Sequence, residues 1–133
     1  MKCENILLAV PVRKGYSQIT IDLGLLYLHG ALKREGLAAT LLHCPKENID
    51  LEMFGEILKN NRHIKIIGLK SYSVDHNALR LMSGIAKKII PGCVIIAGGP
   101  HPTSLPEYVL KDIPGMDYVY CGEAEIGFPI FCK

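Results

Sequence analysis

The sequence predicts an α/β fold in which a five-stranded parallel sheet carries helices on both faces. Five short apolar runs recur along the 133 residues, and each is closed by glycine, proline or a polar cluster. Continuous apolar runs are typical of strands covered on both faces, as in a parallel sheet. Segments with helical spacing separate the runs, without repeats or low-complexity linkers. This alternation is typical of a doubly wound sheet.

The five apolar runs are the expected strands. They lie at residues 6–10, 38–42, 64–69, 94–97 and 118–120. Right-handed crossovers between parallel strands would place all their carboxyl ends at one edge of the sheet. Ligands of such sheets bind outside that edge, near the point where the strand order reverses. We therefore expect the functional residues in the four segments that follow strand ends, residues 11–22, 70–75, 98–104 and 121–125.

Each of three predicted helices carries an apolar stripe at a spacing of three or four residues. The stripes are Leu25, Leu28 and Leu32; Leu51, Phe54 and Leu58; and Ala78, Met82, Ile85 and Ile89. Gly36 and Pro91 stand where the first and third helices would stop, and Asp50 is the expected N-cap of the second. Ser104, followed three residues later by Glu107, is a capping-box pattern that predicts a short fourth helix.

Length and charge exclude several classes of protein. A chain of 133 residues is the size of one domain and can bury a core without disulfides. Its net charge of +2 is too small for a nucleic-acid-binding protein that works by charge alone. No apolar run approaches the roughly 18 residues of a membrane span. We predict a soluble, cytoplasmic protein without nucleic-acid or membrane partners, whose five scattered cysteines are reduced thiols.

The edge segments lack the common phosphate-binding and catalytic motifs. Residues 11–22 contain neither G-x-G-x-x-G nor G-x-x-x-x-G-K-[ST], which disfavours a dinucleotide site and a P-loop. The chain also has no Ser-His-Asp order or H-E-x-x-H in a convincing context. These absences favour a binding domain over a catalytic one.

The strongest positive feature is the pair Gly98 and Gly99 directly after the fourth strand. Adjacent glycines either let a ligand approach the backbone or only shape a tight turn. His101, two residues on, is a turn or capping residue, or a neutral imidazole that could bind metal.

Two further edge segments carry polar candidates. Ser71 and Ser73 could donate to a ring nitrogen or a phosphate of a ligand, although Ser73 or Asp75 could equally cap the following helix. In the last segment, Glu123 beside Gly122 is a site candidate. Glu125 is better placed to complement the dipole of a helix N-terminus.

Three segments together resemble a known family. They are residues 23–36, residues 98–103 and residues 122–125, and they resemble the cobalamin (vitamin B12)-binding domain found N-terminal to radical SAM (S-adenosylmethionine) modules. The resemblance covers nearly the whole chain and implies a flavodoxin-like, or Rossmann-like, five-stranded fold. It implies that the corrin lies over the carboxyl edge and the nucleotide tail enters the crevice between sheet and helix. The implied cofactor-binding residues are Tyr16, Ser71, Ser73, Gly98, Gly99, His101, Gly122 and Glu123.

The sequence departs from relatives of this kind at three points. Nothing between Pro11 and Gly24 matches the D-x-H-x-x-G motif whose histidine ligates cobalt in mutases and methionine synthases. Lys70 stands where that type of domain has a serine, which bears on the assignments of Ser71 and Ser73. The cluster motif C-x-x-x-C-x-x-C of radical SAM modules is also absent.

We therefore expect residues 1–133 to be the cobalamin-binding domain of a larger enzyme. Its 4Fe-4S cluster and SAM would belong to a C-terminal radical SAM domain beyond Lys133, of the methyltransferase or oxidative cyclase type. One alternative is a regulatory domain that binds a nucleotide or another small molecule. The other is a degenerate domain that serves protein contacts, with its cleft filled by Tyr16 or Tyr72.

Overall fold

The computed structural model describes residues 1–13 and 22–133, and its strands form one parallel sheet. The strands are β1 (Ile6–Val10), β2 (Ala39–His43), β3 (Ile66–Lys70), β4 (Val94–Gly98) and β5 (Tyr118–Val119). Their order is β2-β1-β3-β4-β5, the flavodoxin-like order, and every neighbouring pair is parallel. The predicted fold class is therefore confirmed.

The helices of the described residues cover both faces of this sheet. They are α1 (Leu23–Arg34), α2 (Cys44–Glu47), α3 (Leu51–Lys59), α4 (His76–Ile89), α5 (Pro100–Ser104), α6 (Pro106–Asp112) and α7 (Gly127–Cys132). A 3-10 turn at Ser73–Asp75 leads into α4. In the parts of the chain that the structure describes, no helix has the length and apolar character needed to cross a membrane.

Local capping explains where two of the long helices begin. Asp22 accepts from the backbone N–H of Leu25 at 3.0 Å, and Asp50 accepts from that of Met53 at 2.8 Å. The second of these is the predicted N-cap of α3. Gly36 follows the end of α1 with φ +75°, as its position in the sequence predicts.

The predicted capping box of Ser104 and Glu107 is wrong. Ser104 ends α5, and α6 begins at Pro106 after Leu105, which makes no side-chain capping bond. The two short helices begin instead at Pro100 and Pro106. Proline at the first helical position has its φ preset and lacks an N–H that would be unpaired there in any case.

The side chains of the sheet divide between two packed layers because successive residues of a strand point to opposite faces. One layer, which we call the α4 face, is covered by α3, α4 and α6. It contains fully buried side chains from sheet and helices, among them Leu7, Ile67, Ile95, Phe54, Leu58, Leu79 and Met82. The other layer, the α1 face, is covered by α1 and α7. Its buried residues include Leu8, Ile96, Leu25, Leu28, Leu32 and Phe128.

Candidate functional site

A cavity of about 390 Å³ opens on the α1 face near the carboxyl ends of β3 and β4. Its walls are mainly apolar: Leu8 and Ile96 from the sheet, Leu25 and Leu28 from α1, and Phe128 from α7. The volume lies in the range of about 300–1,000 Å³ that is usual for small-molecule sites. The cavity also lies beside β1 and β3, where the strand order reverses, as expected for this topology.

Two glycines in the strands make room for the cavity. A Cβ at Gly68 would lie 3.0 Å from Leu8 Cδ2 and 3.6 Å from Phe128 Cζ. A Cβ at Gly98 would meet nothing closer than the carbonyl oxygen of Tyr120, at 4.0 Å. Both glycines line the cavity, so the absence of their side chains leaves open space at the sheet surface.

Gly99 has a different role from its neighbour. Its φ is +100°, which disfavours residues with a Cβ, and a Cβ there would lie 2.9 Å from the carbonyl oxygen of Ser71. Gly99 therefore allows the turn from β4 into α5, while Gly98 leaves room in the cavity. Both predicted glycines line the cavity.

A charged pair lies at the cavity on the side of β3 and α1. Lys70 lines the cavity, and its Nζ lies 2.8 Å from Asp22 Oδ1. Asp22 is also the N-cap of α1, so its carboxylate serves the helix and the lysine together. A Cβ at Gly24 would come within 2.6 Å of Lys70 Nζ. The glycine in the first turn of α1 therefore lets the lysine approach the helix.

The segment after β5 supplies the opposite side of the cavity. Gly122 has φ +82°, and its N–H donates to Thr103 Oγ1 at 3.1 Å. Gly122, Glu123 and Glu125 all line the cavity. The structure thus places the predicted residues Gly122 and Glu123 with Gly98 and Gly99 around one site.

Ser71 and Ser73 lie outside the cavity lining. Ser71 is fully buried, and its backbone N–H donates to the Gly98 carbonyl at 2.9 Å. Its hydroxyl oxygen has no hydrogen-bond partner among the described residues. Ser73 is exposed in the 3-10 turn before α4. Lys70 lines the cavity and Ser71 does not, because consecutive residues of a strand point to opposite faces and Lys70 points to the α1 face.

His101 also lies away from the cavity lining, in a polar cluster near α4 and α6. Its Nε2 and the Nδ1 of His76 are joined by a hydrogen bond of 2.9 Å, and His76 Nε2 lies 2.6 Å from Asp112 Oδ2. The Tyr108 ring stacks on His76 with a centroid distance of 4.7 Å. His101 is 5% exposed, and burial lowers its pKa, with a further lowering from the nearby charge of His76.

The histidine cluster does not form a metal site. Among residues 1–13 and 22–133, no group of three or more His, Cys, Asp or Glu side chains is placed to hold a metal ion. His76 and Asp112 already pair with each other, and Arg80 lies 3.6 Å from the same carboxylate oxygen. The arrangement orients His101 through its Nε2, while its buried Nδ1 has no hydrogen-bond partner among the described residues.

Asp75, which the sequence offered as a helix cap, anchors the turn and the end of β1. Its buried carboxylate forms a two-bond ion pair with Arg13, at 2.7 and 2.9 Å, and accepts from the Tyr72 N–H at 2.8 Å. Tyr72 is 46% exposed and does not line the cavity, so it does not fill the cleft as a degenerate domain would require. Tyr16 lies outside the described residues.

Sequence reasoning missed two cavity residues that the structure brings together. Gly68 interrupts an apolar strand, and an isolated glycine in a strand is an indication of close approach that was available in the sequence. From sequence, Lys70 is recognisable only as a departure from a family pattern. Its contact with Asp22 joins residues 48 positions apart, which no local pattern indicates.

Comparison with known proteins gives one family match and similar relatives. The family model described as the B12 binding domain matches residues 11–131. An uncharacterized methyltransferase of Pyrococcus horikoshii is 27% identical over 133 residues, a match that covers 96% of this chain and 28% of the relative.

Two solved structures of one protein share the fold. The protein is TsrM, a radical S-adenosylmethionine methyltransferase from Kitasatospora setae. Its structure with tryptophan substrate and a SAM analogue matches with a TM-score of 0.77 and 17% identity, over 95% of this chain and 24% of that chain. Its structure with cobalamin and a 4Fe-4S cluster bound matches with a TM-score of 0.64 and 15% identity, over 84% and 21%.

The chain spans about a quarter of the length of these relatives. The match to the family model extends over nearly all of the chain, and the sheet has the strand order expected for such a domain. The chain therefore belongs to the B12-binding domain family, which confirms the prediction made from its three motif segments.

Proposed function

We propose that this chain binds cobalamin at the carboxyl edge of its sheet, as one module of a larger radical SAM enzyme. The observation that carries the proposal is the apolar cavity between the sheet, α1 and α7, with Gly68 and Gly98 on its strand side. Methyl transfer is the favoured chemistry of the whole protein, because both named relatives are methyltransferases. An oxidative cyclase is the alternative reaction.

The residues of the cavity fit the nucleotide tail of cobalamin. The base of the tail is a flat aromatic heterocycle, and Leu25, Leu28 and Phe128 offer apolar surface to cover it. The corrin macrocycle is too large for 390 Å³, so it would lie outside, over the edge of the sheet. There the carboxylates of Glu123 and Glu125, which line the cavity, would accept hydrogen bonds from the amide side chains of the corrin.

Cobalt would carry no histidine ligand from this chain. The sequence from Pro11 to Gly24 contains no histidine, and none of the described residues that line the cavity is a histidine. His76 and His101 are bonded to each other away from the cavity. When bound, cobalamin would supply a cobalt centre that carries a methyl group, and the role of this chain would be to hold and orient the corrin.

We also propose that the protein works in a reducing, cytoplasmic compartment. All five cysteines are free thiols in the structure. Burial raises the pKa of Cys44 to about 12 and that of Cys132 to about 11, which keeps both thiols protonated and unreactive. Free, protonated thiols of this kind are typical of proteins from reducing compartments.

Anaerobic reconstitution tests cobalamin binding directly. The 133-residue chain is incubated with hydroxocobalamin, desalted and measured by visible absorption and thermal unfolding. We expect corrin to be retained near one per chain and the melting temperature to rise, because a ligand that binds the folded state stabilises it. Desalted protein without corrin absorbance would contradict the proposal. Stabilisation by nucleotides but not by cobalamin would instead favour the regulatory domain.

The ligation of cobalt has its own measurement. After reduction of the bound cofactor to Co(II), we expect an electron paramagnetic resonance spectrum without nitrogen hyperfine splitting. That spectrum requires both that no histidine reaches cobalt and that the base of the tail is detached from it. Nitrogen splitting in a chain that retains the corrin would disprove this part of the proposal while leaving cobalamin binding intact.

A further inference from the structure

We infer that Lys70 binds the phosphodiester of the nucleotide tail and thereby makes the site selective for complete cobalamin over corrinoids that lack the nucleotide. This inference rests on the proposed function, since it concerns the same cavity. It adds a specificity-determining residue at the carboxyl end of β3.

The backbone directs Lys70 into the site. Lys70 ends β3 and lies two residues after Gly68, so both residues point to the α1 face. Its register partner on β4 is Gly98, which has no side chain to separate the lysine from the cavity. The lysine stem therefore runs along open space at the carboxyl edge, and its ammonium reaches the first turn of α1.

The Lys70 ammonium is positioned by Asp22 and retains further hydrogen-bond donors for a ligand. Asp22 Oδ1 takes one hydrogen bond from Nζ at 2.8 Å, and an ammonium has three donors. The Lys70 side chain is 22% exposed and that of Asp22 is 11% exposed, so both charges are largely removed from water. A cation in that position gains most from an anionic partner, because charge-assisted bonds are stronger than neutral ones.

The charges around the cavity favour one side for an anion. Glu123 and Glu125 lie on the segment after β5, and they would repel a phosphate there. On the β3 side, Lys70 Nζ and the Arg13 guanidinium lie 6.0 and 5.7 Å from the centroid of the Tyr72 ring. Arg13 is paired with Asp75 and does not line the cavity, so among the described residues Lys70 is the cation of this side that lines it.

The phosphodiester is the single anionic group of cobalamin. The side chains of its corrin are amides, and the phosphodiester lies in the tail between the corrin and the base. With the base in the apolar cavity and the corrin outside, the phosphodiester would lie between them, where the ammonium of Lys70 is found. Complete cobalamin would bind more tightly than a corrinoid without the tail, because only the complete cofactor offers a phosphodiester to the Lys70 ammonium.

Three corrinoids separate the parts of the ligand. Dicyano forms of cobalamin, cobinamide phosphate and cobinamide are titrated against the wild-type chain and against Lys70→Met, Lys70→Arg and Lys59→Met. Methionine keeps most of the apolar stem of Lys70 without its charge. Lys59, half exposed on α3 and paired only with Glu56 among the described residues, is the matched control for removal of a lysine. Circular dichroism and thermal unfolding verify that each variant is folded.

We expect Lys70→Met to weaken binding of cobalamin and of cobinamide phosphate by about 10- to 100-fold, the usual worth of a charge-assisted hydrogen bond. Binding of cobinamide is expected to stay unchanged. Lys70→Arg should recover most of the affinity, and Lys59→Met should match the wild type. The affinity of the wild type for cobalamin should also fall with added salt more steeply than that of Lys70→Met.

Other outcomes overturn the inference. Equal losses for all three corrinoids would mean that Lys70 supports the site as a whole. A loss for cobalamin alone would mean that it contacts the base and not the phosphate. Unchanged affinities in Lys70→Met would refute only this inference, whereas a wild-type chain that binds none of the three corrinoids would refute the proposed function as well.

Discussion

The two faces of the sheet carry similar apolar residues but differ in packing, because the α4 face is filled and the α1 face contains a cavity. On the α4 face, Phe54, Leu58 and Met82 are fully buried against the strands. On the α1 face, Leu28 and Phe128 border a cavity of about 390 Å³. The difference comes from the strands, because Gly68 and Gly98 stand on the α1 face while their neighbours on the α4 face carry side chains.

The polar groups at the carboxyl edge follow the same division. Toward the α4 face they bond one another, as Asp75 does with Arg13 and His76 does with His101. At the cavity, Lys70 is bonded to Asp22 and retains further donors, while Glu123 and Glu125 line the other side. One face therefore contributes mainly to stability, and the other carries the cavity that we propose as the binding site. Three predictions test this division, from the largest expected effect to the smallest.

The largest effect is expected from truncating matched leucines on the two faces. Leu58→Ala leaves a hole in the packed α4 face and should lower the free energy of unfolding by about 2–5 kcal/mol. Leu28→Ala should cost about 2 kcal/mol, the lower end of that range, because its side chain already borders the cavity. Urea denaturation of the chain without ligand measures both values.

The control for this pair is Leu81→Ala. Leu81 is 42% exposed on α4, so the same atoms are removed from a surface position and the cost should be small. If Leu28→Ala were as costly as Leu58→Ala, the two faces would be equally packed and the comparison would fail.

The second prediction fills the cavity from the sheet. A Cβ at Gly98 meets no atom closer than 4.0 Å, and the cavity has room for the rest of a leucine side chain, so we expect Gly98→Leu to fold. Its side chain would occupy the proposed space of the nucleotide base, and cobalamin affinity should fall by at least about 100-fold, or about 2.7 kcal/mol. Isothermal titration measures the affinity, and thermal unfolding verifies the fold.

Gly84→Leu is the matched control for the filled cavity. Gly84 is exposed on α4, and a Cβ there meets nothing within 4 Å. Its substitution should leave cobalamin binding unchanged and should stabilise the helix, since glycine in a helix interior is unfavourable. Wild-type affinity in Gly98→Leu would mean that the tail does not enter the cavity.

The smallest effect concerns the pH dependence of stability. Burial holds the pKa of His101 below its ordinary value of 6.5 in the folded chain. His101 therefore takes up a proton more readily in the unfolded chain than in the folded chain. The contribution of the neutral His101 to stability is complete above about pH 6.5 and is lost as the pH falls below that value. We expect the melting temperature to drop less between pH 7.5 and 5.5 in His101→Gln than in the wild type, by a few degrees at most.

His43 provides the comparison for this effect, because burial lowers its pKa as well. His43→Gln removes the imidazole of His43 and keeps that of His101. Comparing the two variants therefore separates the contributions of the two histidines to the pH dependence of stability. A pH profile of His101→Gln that coincides with that of the wild type would show that protonation of His101 does not oppose folding.

Local sequence patterns predicted most of the fold for clear physical reasons. Apolar runs and helical stripes report burial directly, and Asp50 and Gly36 report the ends of helices through their own hydrogen bonds and backbone angles. The prediction failed at Ser104, where Pro100 and Pro106 decide the helix starts in place of the expected capping box. The motif segments also brought Gly98, Gly99, Gly122 and Glu123 to one site.

The sequence by itself determined the order of the strands along the chain, the three helices α1, α3 and α4, the sheet edge that carries the candidate site, and the family. Those features depend on residues close together in the chain or on short motifs. Only the tertiary structure decided that Lys70 and not Ser71 lines the cavity, because one step along a strand reverses the face. It alone placed His101 with His76 and Asp112, since these contacts join residues 25 and 36 positions apart that no local pattern connects.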